Sequence, residues 1–266
     1  MSIHRSPLGK NVDAPQEFDP SVLFAIPRKD ARVERGISED LPFDGVDLWN
    51  CYEVSWLDDH GVPQVAIARI QYPCSTKNIV ESKSLKLFLG SLNNTRVESL
   101  SEVENLITAS LSDIVGGACN AELIPPGAWS TQLSSPDGKC IDDVHLASTD
   151  RIVFGSENVV ETLYSNLLCT LCPVTRQPDW ATVVMSYEGP QIERNTILSY
   201  IVSFRDRACF HESAAEMIFM EIFENGNPEK LRVACFYTRR GGIDINPIRH
   251  TFGFESKGYY TRLVRQ

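Results

Sequence analysis

The chain passes twice through one order of hydrophobic periodicities, and that repeat limits its fold more than any other feature. In the first pass, Leu48 to Leu57 reads as a strand and Gln64 to Gln71 as a second. Two helical patterns follow, over Glu81 to Leu92 and Ser99 to Val115. In the longer one, Leu100, Val103, Leu106, Ile107, Leu111, Ile114 and Val115 recur at steps of three and four, forming one apolar stripe. Gly116-Gly117 stops it, and Cys119 to Ile124 reads as a strand ended by Pro125-Pro126. In the second pass, Leu163 to Leu171 and Thr182 to Tyr187 read as strands, Thr196 to Phe204 and Ser213 to Phe223 as helices, and Leu231 to Tyr237 as a strand. Tyr72 precedes Glu81 as Tyr187 precedes Glu193. The pattern points to a tandem duplication in which each half has one sheet face for helices to cover. Residues 131–157, rich in Ser, Asp and Gly and holding the turn Pro136-Asp137-Gly138, read as the linker. Residues 1–45 are expected to be irregular apart from a short strand.

The 266 residues suffice for one large domain or two small ones. A formal net charge of -10 argues against bare nucleic acid as a partner and favours small molecules. An anionic ligand would then need local Lys and Arg. The polar start, Met1 to Lys10, has no apolar core of a signal peptide, and no stretch approaches the length of a membrane span. The 8 cysteines are scattered, so they read as small buried hydrophobes of a reduced, cytoplasmic protein.

Cys172-Pro173-Val174-Thr175-Arg176-Gln177-Pro178-Asp179-Trp180 is the most informative stretch. Its two prolines exclude a helix, and a rigid loop between two strands is a good place to hold a nucleophile. Cys is the most nucleophilic side chain near neutral pH, and a carboxylic acid folded back beside it, Asp179, could deliver a proton to whatever the sulfur attacks. A buried Cys with a capping Asp is the bland alternative. Cys169 and Cys172 form a Cys-x-x-Cys, but no second pair completes a zinc site, and Cys169 reads as a structural strand residue. Phe210-His211-Glu212 opens a helix; Glu212 there either favours the helix dipole or accepts the paired N–H groups of a purine edge. Ser82, Lys83 and Lys86 could meet phosphates at a helix start, or form a solvated face. Arg239-Arg240-Gly241-Gly242, after the last strand, suits phosphate binding or a plain surface turn. No Gly-x-Gly-x-x-Gly is present.

In combination, these residues resemble a family. Tyr72-Pro73-Cys74, Val80-Glu81-Ser82-Lys83-Ser84-Leu85-Lys86-Leu87-Phe88, the loop from Cys172 to Trp180, Phe210-His211-Glu212 and Arg240-Gly241 are similar to the motifs of the long, two-module NADPH-dependent 7-cyano-7-deazaguanine reductases, which serve queuosine biosynthesis, a tRNA modification pathway. The resemblance implies an α+β fold of two tandem tunnelling-fold (T-fold) modules, each an antiparallel sheet with two helices packed on one face. The modules would occupy residues 1–130 and 158–266, joined by the linker. The implied reaction reduces a nitrile to a primary amine with two NADPH. Cys172 would form a covalent thioimide and Asp179 would donate the proton. Val80, Glu81, Ser82, His211 and Glu212 would contact substrate, and Ser82, Lys83, Arg240 and Gly241 would contact NADPH. No metal is needed, and the implied assembly is a homodimer without nucleic acid or membrane partners. Phe210 is the candidate cover that keeps water from the thioimide.

Two competing readings remain at this point. Zinc-dependent cyclohydrolases share the T-fold, with Cys172 and His211 as candidate ligands but no obvious third. A purine-binding protein without catalysis would leave the Cys172 and Asp179 pair without a role.

Overall fold

The structure is a computed structural model and describes residues 7–10, 12–149, 151–254 and 262–266. Residues 1–6 and Asn11, within the stretch expected to be irregular, lie outside the described residues. The chain divides into two compact units. The first gathers residues up to Glu39, Leu48–Ser130 and Arg239–Asp244; the second gathers Asp40–Asp47, Thr131–Thr238 and Ile245–Gln266.

The first unit holds β1 (Ala25–Pro27), α1 (Arg28–Glu34), β2 (Asp44–Leu57, from Leu48 onward), β3 (Pro63–Pro73), β4 (Asn78–Val80), α2 (Ser82–Ser91), α3 (Leu100–Val115) and β5 (Asn120–Ile124). Its sheet has the order β5-β3-β2, and β1 pairs antiparallel with β4. Alternation along β3 turns Ala66, Ala68, Ile70 and Tyr72 to the buried face. Helix α3 answers with Val103, Ile107, Leu111 and Val115, one residue per turn, and packs on β4 and β5. The Ser99 side chain caps α3 by accepting from Glu102 N at 3.2 Å, and Gly116, at φ 67°, ends it in the left-handed region that glycine enters without strain.

The second unit holds β6 (Leu133–Ser134), β7 (Lys139–Cys140), β8 (Phe154–Leu171), β9 (Pro178–Ile192), α4 (Arg194–Val202), α5 (His211–Gly226), β10 (Lys230–Tyr237), β11 (Ile243–His250, from Ile245 onward) and β12 (Arg262–Leu263). Its sheet runs β11-β10-β9-β8-β7, antiparallel except where β7 meets β8. Leu163, Val183, Met185, Leu231, Val233 and Cys235 are fully buried on one face. Helices α4 and α5 cover that face through side chains such as Ile197, Ile201, Ala214, Ile218 and Ile222. Burying such a face is the main favourable contribution to folding a unit of this kind.

The mixed α+β class expected from the sequence is found, with five helices among the described residues. Several elements differ from expectation. Strand β8 starts at Phe154, and β6 and β7 lie within residues 131–157. Strand β9 is more than twice as long as read. The N-terminal stretch carries α1 as well as a strand. β11 was not expected: Arg239–Gly242 precede a further strand instead of following the last one. Among the described residues no helix is long and apolar enough to cross a membrane.

Candidate active site

In the second unit, β8 and β9 form a hairpin whose last pair is Leu171 opposite Pro178. The segment Cys172–Gln177 closes it. Cys172 N donates to Gln177 O at 2.9 Å, and Arg176 N donates to Cys172 O at 3.0 Å. Arg176 takes a left-handed φ of 59°, a conformation costing about 1–2 kcal/mol for a residue with a side chain, which the closing bonds must offset. The proline at 173 and the register-fixed Pro178 leave this turn few alternatives. Thr175 N points at Cys172 Sγ from 3.5 Å, so an amide donor stands where a negatively charged sulfur would accept it. Cys172 is almost fully buried, at 2 % exposure.

Asp179 does not lie on the loop, as the sequence suggested. It is the second residue of β9, paired with Thr170 of β8. Pro178 can start the strand because a first residue can forgo a ladder bond. The carboxyl group is therefore positioned by sheet register rather than by loop folding. The segment before α5 is tied to the same end of the hairpin: Leu171 N donates to Arg207 O at 2.9 Å, and Cys209 N donates to Leu171 O at 3.1 Å. Two residues later α5 begins, with half-buried Phe210 as its N-cap and His211 and Glu212 in its first turn. His211 Nε2 lies 3.3 Å from Asp179 Oδ2, and both side chains are buried. The imidazole is stacked on the ring of Tyr237, with centroids 3.7 Å apart. Glu212 is buried as well. The second unit thus brings together His211 and Asp179, and places Cys172 and Glu212 on the elements tied to them.

Cys169, the other half of the Cys-x-x-Cys, is a β8 residue paired with Trp180. Burial pushes its thiol up, Arg205 pulls it down and Asp179 adds to the rise. Cys169 and Cys172 are both free thiols. Among the described residues no group of three or more His, Cys, Asp or Glu is placed to hold a metal ion.

The first unit places Val80, Glu81, Ser82 and Lys83 at the start of α2. Val80 ends β4, opposite Ala25. Glu81 N donates to Phe24 O, and Phe24 N donates to Ser84 Oγ. Glu81 is the N-cap: its Oε1 accepts from Lys83 N at 2.7 Å and its Oε2 from Ser84 N at 2.9 Å. Burial raises the Glu81 carboxyl above the usual carboxylate range, and the two amides and the Ser82 hydroxyl oppose the rise. Glu81→Ala is expected to lower stability by about 1–2 kcal/mol, because two amides of a buried helix start lose their acceptor. Urea unfolding checks this; an unchanged midpoint and slope would remove the capping role.

Lys83 Nζ donates to the Lys10 carbonyl. Lys86 Nζ donates to Glu53 Oε2 at 3.0 Å and to Gly241 O at 2.9 Å. Arg240 and Ile243 exchange backbone bonds of 3.0 and 3.1 Å around Gly241 and Gly242, both at positive φ. A Cβ on Gly242 would meet only the end of the exposed Glu53 side chain, which can swing away, so this turn needs glycine for its positive φ of 79° rather than for space. Arg239 lies over the Tyr52 ring, 4.3 Å from its centroid. The structure therefore joins the Gly241 turn to α2 through Lys86, a residue noticed for its spacing from Lys83 but not included among the expected NADPH contacts. Flexible ammonium groups, two arginines and a glycine turn are a donor set suited to a diphosphate.

Two family models match the chain. One, described as nitrile reductase, 7-cyano-7-deazaguanine-reductase N-term, matches residues 14–123, and the other, described as QueF-like protein, matches residues 178–253. Glu81 to Lys86 lie in the first segment, Asp179, His211, Glu212, Arg240 and Gly241 in the second, and Cys172 between them. The NADPH-dependent 7-cyano-7-deazaguanine reductase of Desulfotalea psychrophila is 45% identical over 254 residues, covering 92% of each chain. Those of Stenotrophomonas maltophilia and Paraburkholderia phymatum are 44% identical with 98% of each chain covered and 43% identical with 95% covered. A solved structure of the archaeosine synthase QueF-Like in the apo form is 18% identical, over 37% of this chain and 96% of its own, with a TM-score of 0.32. With that identity to its relatives over nearly its whole length, the chain belongs to the family of NADPH-dependent 7-cyano-7-deazaguanine reductases.

Proposed function

We propose that the chain reduces the nitrile of 7-cyano-7-deazaguanine to the primary amine, with Cys172 as covalent nucleophile and Asp179 as proton donor. The observation that carries this reading is the hairpin end: a buried thiol facing an amide donor, and on the following strand a buried carboxyl 3.3 Å from an imidazole. The Cys172 sulfur forms a bond to the nitrile carbon as one carbon–nitrogen π bond breaks. The nitrogen takes the proton held at Asp179, so that no free anion develops in a low-dielectric site. His211 Nε2, on the same carboxyl oxygen, relays the replacement proton. The buried carboxylate of Glu212 accepts the N–H and amino group of the purine edge. Glu81 caps α2, and its Oε2, which accepts from Ser84 N, keeps a second acceptor position for a substrate donor. Val80 and Ser82 flank it.

Ser82, Lys83, Arg240 and Gly241, with Lys86 added, would hold NADPH through its phosphates. When bound, each NADPH would supply a hydride, two electrons, and nitrile to amine takes four electrons, hence two NADPH; after the first hydride the carbon–sulfur bond breaks, returning the Cys172 thiolate and leaving an imine for the second reduction. Two protons from solvent complete the balance. The tandem T-fold modules of residues 1–130 and 158–266, and their homodimer, belong to the same proposal.

The test combines two readouts on the purified chain. Intact mass with 7-cyano-7-deazaguanine and without NADPH is expected to rise by one substrate per chain. Reduced-nicotinamide absorbance is then expected to fall by two NADPH per nitrile consumed. Absence of both the adduct and the oxidation would overturn the proposal, and an adduct without oxidation would overturn its cofactor half.

A further inference from the structure

Tyr237 is not among the residues that the family resemblance assigns to substrate, cofactor or proton transfer. It is the last residue of β10, opposite Ala181 of β9 in the ladder. Asp179 and Ala181 are two apart on β9 and so point to one face; Tyr237, facing Ala181, points the same way. Its position is fixed on both sides. Thr238 N donates to Trp180 O at 2.9 Å, and Tyr237 O accepts from Gln266 Nε2 at 3.4 Å. The ring is fully buried and lies under the His211 imidazole at 18° to it, too close and too parallel for an incidental contact.

A histidine ring turns about its outer torsion in a broad, roughly two-fold well. A swing of the ring out of its plane would carry Nε2 away from the Asp179 carboxyl, 3.3 Å from it. A flat ring pressed on the imidazole face removes that freedom. Burial also holds the Tyr237 phenol well above its ordinary range, so the ring under the imidazole stays neutral.

We propose that Tyr237 is a positioning residue: its ring face fixes the imidazole plane of His211 and so keeps Nε2 on the Asp179 carboxyl that protonates the substrate nitrogen. The inference rests on the nitrile-reductase reading above and adds to it the part of the site that sets its proton donor.

The rate of adduct formation, followed by quenched intact mass, tests it in the full chain with 7-cyano-7-deazaguanine. Tyr237→Leu is expected to slow the adduct by about 10- to 100-fold, with KM changed far less than kcat. Tyr237→Phe keeps the ring face and is expected to stay within about threefold of the parent chain. In a His211→Ala background, Tyr237→Leu is expected to add less than about threefold, because the residue acts through the imidazole. In the parent chain, the His211 ring protons are expected upfield of ordinary histidine positions, since they lie over an aromatic face; this reading needs no variant to fold. Tyr237→Leu at the parent rate, Tyr237→Phe falling as far as Leu, a loss undiminished in the His211→Ala background, or unshifted His211 protons would each overturn the positioning role. No adduct in the parent chain would instead overturn the reading on which it rests.

Discussion

Cys172→Ala is expected to lower nitrile reduction by about 10,000-fold or more, while leaving substrate affinity within about threefold. The substitution removes the atom proposed to form the covalent bond but changes little else. Cys172 Sγ accepts one long bond from Thr175 N, and the turn is closed by backbone bonds that alanine also makes. Melting temperature is therefore expected to stay close to that of the parent chain, which separates a lost nucleophile from a lost fold. Cys169 does not substitute for it. That sulfur sits on the buried ladder of β8, its thiol is pushed up by burial, and it donates only weakly to Thr170 O, at 3.9 Å. Intact mass and NADPH oxidation on the same sample check the result. Turnover within about tenfold of the parent chain would mean that Cys172 is only a packed sulfur at a hairpin end, and the covalent step would have to be abandoned.

The elements legible in the sequence are those in which local periodicity and burial agree. Helix α3 was legible because Val103, Ile107, Leu111 and Val115 face one core and Ser99 and Gly116 mark its ends. Strand β11 was not, because Ile243-Asp-Ile-Asn-Pro-Ile-Arg-His carries polar residues and a proline through a strand buried at every position. Its polar groups are satisfied at long range: Asp244 by Asn50 and Tyr52, Asn246 by Gln266, Arg249 by Asp47 and Glu216. No local pattern encodes partners so far away in the chain. The first half of β8 failed for the opposite reason. Gly155, Ser156, Glu157 and Asn158 are exposed and carry no apolar alternation, and their strand state comes only from pairing near β9.

The site divides along the same line. The Cys172 turn could be read from its prolines, but placing Asp179 on that turn was an error of register, since the sequence does not say where β9 begins. The Glu-Ser-Lys-Ser stretch read as a charged helix start, yet the acid is turned inward as a cap. Tyr237 gave no signal beyond ending an apolar strand. Its relation to His211 exists only once β10 and α5 are packed together.

Arg249 is where removal of one side chain is expected to do most harm to stability. Its guanidinium is fully buried, with Nη1 donating to Asp47 Oδ1 at 2.8 Å and Nε and Nη2 donating to Glu216 Oε1 at 3.1 and 2.9 Å. Nη1 also serves the carbonyls of Val46 and Ile248, and the Phe43 ring lies 6.0 Å away, itself edge-on to Phe219. One cation therefore holds two carboxylates that have almost no access to water. Arg249→Met keeps much of the volume but takes the guanidinium away from two buried carboxylates, which costs about 3–5 kcal/mol. Against a total of about 5–15 kcal/mol this approaches loss of the folded unit at body temperature. Arg249→Lys keeps the charge but not the planar fork, and is expected to recover only part of the loss. Adding Asp47→Asn and Glu216→Gln to Arg249→Met removes the buried charges and is expected to recover more than Lys does, because the penalty is the burial of carboxylate charge rather than the absence of arginine. Urea unfolding of the four chains orders them. A function readout follows from the same geometry: Glu216 sits one helical turn after Glu212 on α5, so the Arg249 anchor and the carboxylate proposed to bind substrate share a helix face. Arg249→Lys, if folded, is expected to raise KM for the nitrile more than it lowers the rate of adduct formation once substrate is saturating. Stability of Arg249→Met within about 1 kcal/mol of the parent would show that water reaches the carboxylates and that the anchor on α5 is weak.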